Sequence, residues 1–219
     1  MNSFDLLKAL KETNSYDESF TKVFNSPTFE VVVGAILTQQ TKWENVEAAL
    51  DILRQRDLLS IENFAELDAI TLAHYIKSCG FANQKSKRLL NLSRNILNDF
   101  ENIESFRENV NREWLLSQKG LGYESSDYIL CYACKQPVMV VDSYTARLLK
   151  HYGFEFESYD ELQNWFYDGI LGNFEKVEKL YSREIDEVEL YARFHGKIVN
   201  YCKKNMKGER VVKELLVLD

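Results

Sequence analysis

A chain of 219 residues, 45% hydrophobic and 28% charged, can bury one sizeable core or two small ones. Its formal net charge of −7 argues against a protein that coats nucleic acid indiscriminately, while leaving room for a local basic face. No apolar run approaches the roughly 18 residues of a membrane helix, so no membrane span is expected.

The first stretch, MNSFDLLKALKE, is amphipathic and mixed in charge, unlike a signal or transit peptide, and a cytoplasmic protein is expected. In that compartment Cys79, Cys131, Cys134 and Cys202 should be reduced and partly buried. Nine glycines and two prolines are few chain breakers, which favours long helices. Phe29, Val32, Val33, Ile36 and Leu37 recur on one helical face. Leu72, Tyr75, Ile76 and Cys79 repeat the pattern, with Gly80 where a helix-ending glycine belongs. Leu89, Leu92, Ile96 and Leu97 form a third stripe. Lys85, Lys87, Arg88 and Arg94 cluster around it without an acid, either as a DNA-facing patch or as a solvated helix face.

A helix over 112–116 ends in SQKGLG, and another starts near Ser125. Glycines at 120 and 122 permit a tight turn whose backbone N–H groups point outward. Together with the positive end of the second helix they make a small anion site suited to a phosphate. The spacing apolar-x-x-x-Gly-apolar-Gly fits a helix-hairpin-helix. An ordinary αα-hairpin with packing glycines is the plainer alternative. Further on, VMVV at 138–141 is the one strand-like run, expected as an extended link into a helix beginning at Ser143. Asp142 then stands at an N-cap, which leaves its second oxygen open to chemistry. Ser158 and Glu161 form a capping box, and Val188 to Cys202 make a long last helix. Lys197, Lys203, Lys204, Lys207 and Arg210 are a second basic stretch. The fold class is all-α.

The stretch LLSQKGLGYESSDYILCYACKQPVMVVDSYTARLL resembles the hairpin-to-aspartate signature of the endonuclease III superfamily of DNA glycosylases. GAILTQQTKWENV, GFANQKSKRLLNL and ARFHGKIVNY resemble further segments of that family in the same order, over roughly residues 28 to 202. Within the family the likeness is to the small bacterial 3-methyladenine DNA glycosylases of endonuclease III type. The resemblance implies two helical subdomains with the active-site cleft between them: a helical barrel at 21–134 carrying the helix-hairpin-helix, and a second domain formed by both termini, 1–20 and 135–219. It assigns the catalytic carboxylate to Asp142 and the phosphate-binding hairpin to Lys119, Gly120, Leu121 and Gly122. Gln40, or Gln39 if the register slips by one, would fill the gap left by a flipped nucleotide. Phe81 would wedge against the opposite strand.

Two departures from the family carry weight. Bifunctional members have a lysine two residues after the second hairpin glycine, where this chain has Glu124, and a carboxylate cannot form a Schiff base. A glycosylase without lyase activity is expected. The positions of the family's four cluster cysteines fall here on Asn200, Lys207, Arg210 and Leu216, so no iron–sulfur cluster, other metal or cofactor is expected. If Lys197 is buried beside His195, it needs a negative partner, an acid or a covalently acquired carboxylate.

A ring alkylated at N3 is already cationic and leaves without a strong acid. Its pocket needs aromatic faces, each worth roughly 2 kcal/mol against a desolvated cation. Trp43 stands at a pocket position in the alkyladenine-type relatives, with Phe20 and Phe24 for the opposite face and Glu124 facing the same pocket. A core tryptophan is the plainer alternative for Trp43. The expected partner is duplex DNA containing alkylated bases, with 3-methyladenine first, bound by a monomer. A glycosylase for mismatched or oxidised bases, or a non-catalytic DNA-binding module, would share most of these features.

Overall fold

The structure is a computed structural model that describes residues 1–12, 23–208 and 210–212. The chain divides into two compact units. One is Asn25–Lys135, and the other combines Met1–Phe24 with Gln136–Asp219.

The first unit is helical throughout its described length. After α1 (Ser3–Glu12), which belongs to the other unit, the chain forms here α2 (Thr28–Leu37), α3 (Trp43–Gln55), α4 (Ile61–Ala65), α5 (Ala69–Tyr75), a 3-10 turn (Lys77–Cys79), α6 (Ala82–Phe100), α7 (Ile103–Asn109), α8 (Arg112–Ser117) and α9 (Tyr123–Tyr128). The last of these runs on into a π-helical turn, Ile129–Ala133. The apolar run of α2 is buried from Phe29 to Leu37, which makes it the central helix of the unit. Val46, Leu50, Phe64, Leu72, Leu89 and Ile96 bury the inward faces of the helices around it. Helix starts are set locally. Ser60, Asp68, Asn102 and Asn111 each accept a bond from a backbone N–H in the first turn, and each such cap is worth about 1 kcal/mol.

The second unit gathers both ends of the chain. Helix α1 (Ser3–Glu12) packs with α10 (Ser143–His151), α11 (Tyr159–Leu171), α12 (Phe174–Tyr181) and α13 (Glu187–Asn205). Leu6, Leu10, Leu148, Phe166, Phe194 and Tyr201 are among its core residues. The run VMVV is extended but pairs with no strand among the described residues. The Met139 N–H donates to the Tyr167 hydroxyl at 3.1 Å, the Val141 N–H to the Tyr159 hydroxyl at 3.4 Å, and the Met139 carbonyl accepts from Gln163 Nε2 at 2.7 Å. Side chains of α11 thus do the work of a neighbouring strand. Among the described residues the strands are a two-residue antiparallel ladder, β1 (Met206–Lys207) with β2 (Arg210–Val211), which the helical periodicity does not announce.

Three local expectations change. The second hairpin helix begins at Tyr123 rather than Ser125. In the capping box, Ser158 accepts from the Glu161 N–H, but the Glu161 carboxylate accepts from the N–H of Glu157. The basic cluster on α6 is only partly a solvated patch, with Lys87 and Arg94 exposed. Lys85 is 2% exposed, Arg88 donates to Gln39, and Arg94 donates to the carbonyls of Ala65 and Leu67.

Candidate active site

Asp142 caps α10. Its Oδ1 accepts from both the N–H and the hydroxyl of Thr145, at 2.8 and 2.9 Å. Its Oδ2 is spared by the cap and lies 3.6 Å from Nε2 of His195 on α13. That distance exceeds a hydrogen bond, so the contact is one of charge and dipole. Burial pushes the carboxyl up, but His195 and the Thr145 bonds outweigh it and hold Asp142 below the ordinary carboxylate value. The result is an ionised carboxylate with one oxygen anchored by Thr145 and the other left clear of the cap. Cys202 packs close by, its thiol pushed up to about 12 by burial and then by Asp142. Two residues beyond His195 on α13, Lys197 is buried, and burial followed by the charges of Lys11 and Arg193 pulls it down to about 8.

The positions that a cluster would need do not fit one. Asn200 is buried in α13, Lys207 and Arg210 are exposed on the β-ladder, and Leu216 lies outside the described residues. All four cysteines are buried and free, and among the described residues no three His, Cys, Asp or Glu side chains come together as a metal site.

The other unit carries the hairpin. Gly120, at φ 92°, makes the left-handed step of the turn, whereas Gly122 is extended at φ −111°. A Cβ on Gly122 would meet nothing within 4 Å, so its surface is open. Lys119 is exposed and Leu121 is buried beneath the turn. Gln39 ties this hairpin down. Its Nε2 donates to the Gly120 carbonyl at 2.9 Å and to the Ser125 hydroxyl at 3.1 Å, while its Oε1 accepts from Arg88 at 3.1 Å. Gln39 is therefore occupied as a brace. Its neighbour Gln40 is exposed, with φ 53°. A second brace joins the hairpin helices: Arg112 donates to the fully buried Asp127 at 2.9 Å and lies 4.9 Å from the centre of the Tyr123 ring.

Phe81 is 63% exposed at φ 47°, immediately before α6. Trp43 opens α3 and is half-buried. Glu124 is exposed in the first turn of α9. Phe24 is half-buried, and Phe20 lies outside the described residues. The hairpin, Gln39, Gln40, Trp43, Phe81 and Glu124 belong to the unit Asn25–Lys135, and Asp142 and Phe24 to the other. That Lys85, Arg88, Thr145 and His195 act as braces escapes a reading of the sequence, which places Lys85 and Arg88 only in a basic cluster. Only His195, in the HGK tripeptide, carried a local signal.

Residues 33–166 match the family described as HhH-GPD superfamily base excision DNA repair proteins. A Methanocaldococcus jannaschii protein assigned as a DNA repair glycosylase is 37% identical over 183 residues, covering 80% of this chain and 77% of its own length. The crystal structure of the H. pylori 3-methyladenine DNA glycosylase bound to 1,N6-ethenoadenine is similar at 43% identity and a TM-score of 0.84, covering 94% of this chain and all of that one. A trapped covalent endonuclease III–DNA complex shares the fold at 15% identity and a TM-score of 0.71, over 96% of this chain and 91% of that one.

Proposed function

The chain belongs to the HhH-GPD superfamily of base excision DNA repair proteins as a DNA glycosylase, and from that premise we propose that it removes alkylated bases, 3-methyladenine first, from duplex DNA without cutting the strand. The observation that carries this reading is Asp142, with one oxygen anchored by Thr145 and the other spared and ionised beside His195. As the bond from C1′ to the base breaks, its electron pair leaves with the base and positive charge develops on the sugar. A fixed carboxylate lowers the energy of that charge. Water then adds at C1′ and gives up a proton, leaving an abasic site.

The substrate class is supported by the likeness to the H. pylori 3-methyladenine glycosylase and by chemistry. A cationic base departs as a neutral molecule and needs no proton donor. Glu124 stands where bifunctional relatives hold an amine, which supports a hydrolytic enzyme only. Gln40, Phe81 and the hairpin would hold the duplex open while the nucleotide is flipped, at a cost of about a few kcal/mol. The deciding experiment is release of free 3-methyladenine from methylated duplex DNA. Release is expected with wild type and not with Asp142→Asn. Excision confined to mismatched or oxidised bases would overturn the substrate assignment.

A further inference from the structure

Lys85 lies on the first turns of α6 and its side chain is withdrawn from solvent, 2% exposed. Its Nζ donates to the carbonyls of Leu37 and Gln39 at 2.8 Å each, to the Cys79 carbonyl at 2.9 Å and to the Thr41 hydroxyl at 2.7 Å. The Thr41 hydroxyl donates in turn to the Cys79 carbonyl at 2.5 Å. An ammonium has three N–H groups for these four acceptors, so two of them share one donor. Burial pulls the Lys85 pKa down, but carbonyl oxygens only accept, and three of them around one nitrogen favour the form with three donors, the ammonium.

These acceptors have a common position. Leu37 is the last residue of α2, Gln39 lies in the turn after it, and Cys79 is the last residue of the 3-10 turn. Two helical elements therefore end on one cation, which suits the negative ends of both. Each end is followed by an exposed residue in the left-handed region: Gln40 at φ 53° after Gln39, and Phe81 at φ 47° after Gly80. Side chains other than glycine rarely adopt this conformation, and they keep it only where the surroundings over-determine it. Here the surroundings converge on one ammonium.

We propose that Lys85 is a positioning residue that holds Gln40 and Phe81 as the two prongs of one preformed wedge for duplex DNA. The inference rests on the assignment of those two residues as gap-filler and wedge. A wedge ordered in advance loses little conformational freedom on insertion, so more of the contact energy is left to hold the nucleotide out. A lysine that merely stabilised the fold would not single out the flipped state.

The test uses Lys85→Met, which keeps the apolar stem and removes the cation. Thr41→Val, which keeps the shape and removes the bridging hydroxyl, serves as a milder second variant should the first fail to fold. Dissociation constants are measured for a duplex with a stable abasic-site analogue and for an undamaged duplex of equal length. The folded variants should bind undamaged DNA within about twofold of wild type and lose about tenfold of the preference for the abasic duplex, because preorganisation acts on the inserted state alone. Adding Phe81→Ala to either variant should cost less than Phe81→Ala costs in wild type, since the prong is already misplaced. An unchanged preference, an equal loss on both duplexes or a fully additive double variant overturns the proposal. A wild type with no preference for the abasic duplex overturns the wedge assignment itself, and this inference with it.

Discussion

The guanidinium of Arg88 lies against Gly120 so closely that a Cβ on the glycine would sit 2.5 Å from Nε. Gly122, two residues on, faces open space. The two glycines therefore do different work, and their alanine variants should separate folding from binding. In Gly120→Ala the φ of 92° becomes strained and Arg88 must leave, taking its bond to Gln39 with it. A stability loss of about 1–3 kcal/mol is expected, read as a fall in Tm. Gly122→Ala strains no backbone and gives only a poorer helix N-cap, so it should lower Tm less than Gly120→Ala and weaken DNA binding across sequences, because a methyl group would stand where a phosphate approaches. Binding by wild type should also fall steeply with salt. Salt-independent affinity would remove the hairpin from the interface.

Asp142→Asn keeps a good N-cap and discards the charge, so the fold should survive while excision slows by about a hundredfold or more. Asp142→Ala should lose the same activity and, in addition, about 1 kcal/mol of stability through the missing cap. Single-turnover excision alongside thermal unfolding checks both. Retained turnover in the asparagine variant would take the carboxylate out of the chemistry.

The same residue makes a pH prediction. Asp142 is held below the ordinary carboxylate value: burial pushes it up, and His195 and Thr145 more than offset that. A depressed folded pKa contributes stability that is fully present above the unfolded value of about 3.9 and is lost as pH falls through the folded value. The acid limb of the excision rate should accordingly lie below about pH 4 where the fold permits its measurement. His195→Gln removes one of the two depressing influences, so the acid limb should move upward. An acid limb that stays in place in this variant would show that His195 does not act on Asp142.

Glu124 opens α9, where a carboxylate suits the positive end of a helix and offers no nucleophilic amine. Treated alkylated duplexes should therefore accumulate intact abasic sites that break only on alkali or heat. Borohydride should trap no protein–DNA adduct. A trapped adduct would require another amine to reach C1′ and would overturn the hydrolytic assignment.

Trp43 is half-buried at the start of α3. If its ring stacks on a cationic base, Trp43→Ala should lose most excision of 3-methyladenine, and Trp43→Phe should keep much of it because a π surface survives. Neutral lesions such as hypoxanthine should be poorer substrates than cationic ones. Single-turnover rates on a lesion panel, with wild type and both variants, decide this. Equal rates on charged and neutral bases, or an unimpaired Trp43→Ala, would return the residue to the core.

Much of this protein is written in patterns that a few neighbouring residues complete. The apolar stripes of α2, α5 and α6, the caps at Asp142 and Ser158, and the glycines of the hairpin all act over three or four positions, so the linear order of residues determines them. The glutamate at 124 and the missing cluster cysteines are equally plain in the order alone. Other features depend on which distant groups the packing brings together. Lys85 looks like one member of a solvent-facing basic cluster until the carbonyls of Leu37, Gln39 and Cys79 close around it. Gln39 and Gln40 are chemically identical neighbours, and only the arrival of Gly120, Ser125 and Arg88 makes one a brace and leaves the other exposed. VMVV stays out of a sheet because Tyr159, Gln163 and Tyr167 satisfy its backbone from α11. His195 reaches Asp142 from another helix. A buried cation, a braced amide and a tuned carboxylate are each defined by their acceptors and charges. Those partners have no fixed spacing in the chain, so only the tertiary structure supplies them.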